Sequence, residues 1–227
     1  MKNRLKTLVK MKNIIIYFAV AVLSLLPFIA KAESSQEYLD NLSFKEMIHS
    51  VELGEKSSLI QQFQENVARE NLTSEFDSPE ARKKGYRVET FRNKEVLLVT
   101  IPANELFAPN DTELLPKAGD KILSKFKKFL YNPDTYRVLL VMHTDNTGSE
   151  LYRDIITEKR VDAVFDWFEN QGVDTSFVFP YAMGDDLPFL PNDSQENRTK
   201  NRRLEIYLMP GEKMLEMAKK KGKIEFK

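Results

Sequence analysis

Apolar residues along this chain change their spacing several times, and each change marks an element. Leu59, Ile60, Phe63 and Val67 recur at the spacing of one helix face, inside a stretch from 33 to 84 that is otherwise polar. This predicts a short amphipathic helix within a spacer. Pro79, the charges through Lys84 and then Gly85 punctuate the chain, and beyond them the composition turns strand-like. Residues 86–91 and 96–101 are strand candidates, and Arg92, Asn93, Lys94 and Glu95 between them suit a tight turn. The pair predicts an antiparallel hairpin at the edge of a sheet.

After Pro116, the residues Ile122, Phe126, Phe129 and Leu130 return to helical spacing, until Asn132 and Pro133 end the pattern because proline cannot continue a helix. Residues 138–142 form a continuous apolar run, as expected of a strand covered on both faces. Polar turn residues 144–148 follow, then a helix from near Ser149 to Asn170 with Val161, Val164, Phe165 and Phe168 in a stripe. Trp167 is read as core packing, and Gly172 as the left-handed residue that ends the helix. A short strand at 177–181 and an alternating one at Leu204, Ile206 and Leu208 complete the series, with Pro210 stopping the last. Strands alternating with helices predict an α/β (α+β) two-layer sandwich over residues 85–210. The basic tail 211–227 has the apolar positions Met214, Leu215, Met217 and Ala218 of a further helix.

A chain of 227 residues accommodates one full core plus an appendage, not two large domains. Its first 32 residues read as a secretory signal: a basic stretch, an apolar run from 14 to 30, then Ala30, Lys31 and Ala32 as the cleavage triplet. An uncleaved inner-membrane anchor is the alternative, since a run of about 17 residues sits at the short edge of a bilayer span. Pro27 and the small-residue triplet favour cleavage. Without a cysteine the chain has no disulfide framework and no lipid acceptor at the signal boundary. The formal charge of zero conceals an imbalance: the signal holds six basic and no acidic residues, so 28 basic face 34 acidic residues without it. That sign argues against general nucleic-acid binding. The spacer is also too short for an outer-membrane barrel, which needs eight strands of about 10 residues each.

Candidate chemistry gathers after the buried strand, where Met142, His143, Thr144, Asp145, Asn146, Thr147 and Gly148 lead into a helix that carries Arg160. Ligands of such sheets sit at the carboxyl ends of strands, where loop amides present donors. A carboxylate and a guanidinium facing one pocket suit a zwitterion: Asp145 pairs with an ammonium while Arg160 grips a carboxylate through two parallel hydrogen bonds. An internal ion pair or a loop-capping Asp is the bland alternative, and the two residues alone do not decide between them.

Further motifs do. Phe107 with Leu114 and Pro116, the loop of His143, Thr144, Asp145 and Gly148, Arg160, Gly184 with Pro188, Asn192, and Arg198 followed by Asn201, Arg202, Arg203, Leu204 and Glu205 stand in a characteristic order. Over residues 86–210 the chain resembles the OmpA-like C-terminal domain family, also found in peptidoglycan-associated lipoproteins and flagellar stator proteins. The resemblance implies a β-α-β-α-β-β type domain with an N-terminal antiparallel edge. It implies that Asp145 and Arg160 hold the amino-acid end of diaminopimelate in the wall peptide, helped by Thr144, Asn146, Thr147, Gly148 and Asn201. Its expected partners are peptidoglycan and an envelope or outer-membrane protein, in the periplasm, with a homodimer left open and no cofactor or metal.

The chain departs from the family pattern at several positions. Met142 stands where glycine is usual, Arg153 where asparagine is, and Ile156 and Thr157 where leucine and serine are. Arg153, seven residues before Arg160 and so on nearly the same helix face, is expected to add a second cation and shift preference toward more carboxylate. Met142 puts a flexible side chain where backbone approaches closely, or turns it inward.

Other groups read as structural. His143 has only His49 for company and no cysteine, too few for a zinc cluster without carboxylates. Asp185 and Asp186 are adjacent turn residues rather than a pair opposed across a glycosidic bond. Arg202 and Arg203 begin an alternating strand, so they point to opposite faces and take supporting roles. The function expected is a non-enzymatic wall tether. Its rivals are a stator-like subunit held in the inner membrane, which an uncleaved first segment would give, and a wall-processing enzyme, for which no credible nucleophile or metal set stands out.

Overall fold

The computed structural model describes residues 37–50 and 57–221, and the chain divides into two compact units, 1–47 and 48–227. The expected signal, 1–32, lies outside the described residues. Among those described, no helix is long and apolar enough to cross a membrane. In the first unit, Phe44–Met47 makes one helical turn with a reciprocal cap. Ser43 N donates to Glu46 Oε2 at 3.0 Å and Glu46 N donates back to Ser43 Oγ at 3.4 Å.

The second unit is built on a five-stranded mixed sheet. Its strands are β1 (Arg87–Phe91), β2 (Val96–Pro102), β3 (Tyr136–His143), β4 (Val178–Ala182) and β5 (Arg203–Pro210). Their order is β1-β2-β5-β3-β4. The first four neighbours pair antiparallel, and β3 with β4 is parallel. A parallel neighbour needs a crossover, which the long helix α4 (Glu150–Asn170) supplies between them. All eight residues of β3 and of β5 are buried, as the unbroken apolar run of β3 requires. The expected hairpin joins β1 to β2 through Arg92, Asn93 and Lys94, all at positive φ.

Side chains from alternate strand positions, Val138, Leu140 and Met142 of β3 and Leu204, Ile206 and Leu208 of β5, share one core with Val161, Val164 and Phe168 of α4. That is the helix stripe read from the sequence. The helix expected after Pro116 is one α-turn, α3 (Ala118–Lys121), continued as a 3-10 helix over Leu123–Phe129. Leu123, Phe126 and Phe129 are buried there, and a spacing of three falls on one face only when the helix has three residues per turn. Gly119 allows this segment to approach α4, since a Cβ at this position would overlap the Trp167 indole.

Two segments that the sequence left without a docking partner join this core. Helix α1 (Ser57–Val67) and the π-helical turn Ala68–Leu72 place Ile60, Val67 and Leu72 in it, and Phe76 stacks on Phe126 with ring centroids 5.3 Å apart. Gln64, fully buried, anchors α1 to the sheet: its amide donates to Glu95 O at 2.9 Å and Leu208 O at 3.1 Å, and it accepts from Tyr136 Oη at 2.9 Å. A second short helix, α2 (Pro79–Lys84), is capped by Ser78 and ended by Gly85. In the tail, α6 (Glu212–Lys221) buries Met214, Leu215 and Ala218 in the same core.

Candidate functional site

The loop from β3 into α4 is held open as a cradle by its own hydrogen bonds. Thr144 N donates to Gly184 O at 2.8 Å, and Thr147 N donates to Asp145 Oδ1 at 2.7 Å, an Asx turn that fixes the carboxylate over the loop. Gly148 sits at φ +87° with the Tyr152 ring so close that a Cβ would clash, so the turn requires glycine. Ser149 then caps α4 by accepting from Tyr152 N.

Asp145 is 3% exposed and its other carboxylate oxygen accepts from Arg202 Nη1. Burial alone would raise its pKa, but the bonds from Thr147 and Arg202 outweigh it and hold the carboxyl below its usual range. It is therefore an anion at neutral pH. Arg160 emerges from the facing side of α4, 5% exposed, with its guanidinium over the Phe107 ring at 5.0 Å. Its Nε donates to Asp111 O at 2.8 Å and its Nη2 to Ala108 O at 3.3 Å. Nη1 has no partner among the described residues.

These two groups line one cleft of about 380 Å³, together with Thr144, Thr147, Tyr152 and Arg202. Tyr152 closes one side by donating its hydroxyl to Asn110 Oδ1 at 3.2 Å. The cleft thus presents a partly satisfied carboxylate, a guanidinium with a free edge and an aromatic wall. The two carbonyls take the N–H of Nε and one of Nη2, so of the five donors of Arg160 both on Nη1 and the second on Nη2 remain, the edge on which two parallel bonds to a carboxylate can form.

Other expected residues are placed differently. Asn201 is fully buried and clamps the 190–192 loop instead: its side chain accepts from Leu190 N at 2.9 Å and donates to Leu190 O at 2.7 Å and Asn192 Oδ1 at 2.8 Å. Arg153 turns from the cleft to Asp185 at 2.5 Å and Gly148 O at 2.7 Å, so its charge is matched locally. Met142 points into the core between Ala182 and Leu204. Asn146 and Gly148 shape the loop without lining the cleft. The role of Arg202 on Asp145 was not legible beyond a supporting part, because it joins residues 57 positions apart.

His143 belongs to a buried network beside the cleft. Its Nε2 meets Glu205 Oε2 at 3.2 Å, while Arg203 Nε donates to Glu205 Oε1 at 2.7 Å and Tyr207 Oη to Glu205 Oε2 at 2.8 Å. Burial lowers the His143 pKa, so the ring is neutral at pH 7. Burial also opposes ionisation of Glu205, but the contacts with His143, Arg203 and Tyr207 prevail and bring it down to about 2. With His143 neutral, Arg203 is the cation that holds this carboxylate. Both groups bind fewer protons folded than unfolded in acid, so their stabilisation is full above the unfolded values and is lost as pH falls. The urea midpoint should therefore be higher at about pH 7.5 than at about 5.5, and higher at about 5.5 than at about 3.5, and His143→Gln should flatten the first of these two differences. A midpoint unchanged across that range would contradict the assignment.

Residues 106–202, which hold β3, α4, β4 and the Asp145 loop, match the OmpA family. Among curated relatives, the probable lipoprotein YiaD of Escherichia coli (strain K12) is 28% identical over 129 residues, 57% of this chain and 58% of that one. The peptidoglycan-binding protein ArfA of Mycobacterium tuberculosis (strain ATCC 25618 / H37Rv) is 34% identical over 98 residues, 43% of this chain and 28% of its own. The chain thus matches well under two thirds of either relative. A putative MotB-like protein from Desulfovibrio vulgaris has a similar fold, with TM-score 0.56 and 23% identity over 68% of this chain and 98% of that one.

Proposed function

We propose that residues 85–210 bind the stem peptide of peptidoglycan through the amino-acid head group of diaminopimelate, and that the protein tethers the cell wall to an envelope partner from the periplasmic side. The observation that carries this reading is the meeting of Asp145 and Arg160 in one cleft of about 380 Å³. The ligand ammonium takes the remaining lone pairs of Asp145, since each carboxylate oxygen accepts more than one bond. Its carboxylate takes the remaining N–H groups of Arg160, on Nη1 and Nη2, and Tyr152 covers the aliphatic stem. The name of the mycobacterial relative supports the same ligand class. A carboxylate already paired with arginine and a guanidinium held by carbonyls position a ligand rather than activate a nucleophile, so no bond is made or broken.

Calorimetry of the full chain with a diaminopimelate-containing muropeptide tests this. Asp145→Asn keeps the shape of the side chain but removes the charge that pairs with the ammonium, and affinity should fall by roughly tenfold to a hundredfold, about 1.5–3 kcal/mol. Equal affinity in the variant would sink the site assignment.

A further inference from the structure

Helix α5 (Gln195–Asn201) borders two clefts. Gln195 faces the Asp145 cleft, whereas Glu196, Thr199 and Lys200 line a second one of about 450 Å³ that the wall-peptide reading does not use. Its remaining walls come from α2 and from the starts of β1 and β5, and its floor from Gly85, Pro102 and Phe189.

Six cations from four elements converge here: Arg82, Lys83 and Lys84 of α2, Arg87 of β1, Lys200 of α5 and Arg203 of β5. Four meet carboxylates, Arg82 at Asp77, Lys84 at Glu105, Lys200 at Glu196 and Arg203 at Glu205. Lys83 and Arg87 form no ion pair among the described residues, which leaves an excess of two positive charges. Arg87 is also fixed in place. Its guanidinium lies 5.3 Å from the Phe189 ring centroid, and Arg203 lies 5.8 Å from the same ring. This cation–π contact holds the Arg87 guanidinium at the cleft wall. Arg203 is engaged on all three nitrogens, by Glu205, Asn201 O and Leu187 O. The N–H edge of Arg87 has no hydrogen-bond acceptor among the described residues and faces the open cleft.

We propose that this second cleft binds a phosphate group, with Arg87 supplying the planar fork and Lys83 the mobile ammonium. A phosphate monoester carries close to two negative charges at neutral pH, which matches the excess, and its oxygens accept from several directions at once. A single carboxylate would neutralise only half of it. The group comes either from a lipid headgroup or from a soluble phosphate.

The full chain, titrated with inorganic phosphate by calorimetry, should bind it saturably. Lys83→Ala/Arg87→Ala should weaken that binding by about tenfold or more, since two charge-assisted contacts are removed. The same double variant should bind the muropeptide as the parent does, which separates this cleft from the wall-peptide site. Both replaced side chains are exposed, and an unaltered thermal melt checks that the variant is folded. Co-sedimentation with phosphatidylcholine vesicles containing phosphatidic acid, but not with phosphatidylcholine alone, would assign the lipid source; phosphate binding without vesicle capture would assign the soluble one. The proposal is overturned by the absence of saturable phosphate binding, by equal binding in the double variant, or by acetate binding as tightly as phosphate.

Discussion

Arg160→Ala should weaken muropeptide binding by one and a half to nearly three orders of magnitude, roughly 30-fold to 700-fold, while the protein remains folded. The guanidinium does two things at once. Through Nε and Nη2 it holds the carbonyls of Asp111 and Ala108, which fixes the loop that walls the cleft. In the proposed complex its remaining N–H groups, on Nη1 and Nη2, meet the ligand carboxylate. Truncation removes the charge-assisted contact and releases the loop, and the loss should reach about 2–4 kcal/mol, roughly 30-fold to 700-fold in affinity. Arg160→Lys discriminates between charge and geometry: an ammonium cannot span two carbonyls and a ligand together, so lysine should recover less than half of that free energy. Calorimetry with the same muropeptide reads both variants. Full binding by Arg160→Lys would show that only the charge matters, and full binding by Arg160→Ala would remove Arg160 from the site.

Gln64→Leu should lower stability by about 2–4 kcal/mol. A leucine of similar size keeps the volume but leaves the Tyr136 hydroxyl and the carbonyls of Glu95 and Leu208 without their buried partner. The thermal midpoint should fall by roughly 5–15 °C. Combining Gln64→Leu with Tyr136→Phe should cost less than the sum of the two, because the phenylalanine removes one of the stranded groups. A cost under about 0.5 kcal/mol, the size of an ordinary surface change, would mean that α1 does not anchor the sheet.

The two clefts share a helix and differ in logic. In the first, an anion and a cation face each other across a gap that suits a zwitterion. In the second, cations outnumber the carboxylates that meet them, and the surplus suits an anion. Arg202 and Thr199 connect them, since Arg202 Nη2 donates to Thr199 Oγ1 at 2.8 Å while Nη1 serves Asp145.

The sequence by itself determined the strands, the long helix and the loop that carries Asp145. Those follow from local rules: alternation or an apolar run for strands, a stripe at 3.6-residue spacing for α4, proline and glycine for the ends. It also offered Asp145 and Arg160 as candidates, a polar loop at the end of a buried strand and a basic residue on the next helix, and the resemblance to the OmpA-like family singled them out. What it could not determine depends on contacts between distant residues. Arg202 reaches Asp145 across 57 positions, and Gln64 reaches Leu208 across 144, bringing α1 onto the sheet. Only the tertiary structure decided that Arg153 serves Asp185 rather than the cleft: position on a helix face sets a direction, but the nearest available carboxylate sets where a long flexible cation comes to rest. The same holds for the second cleft, whose cations are unremarkable surface residues along the chain and form a site only because α2, β1, α5 and β5 bring them to one place.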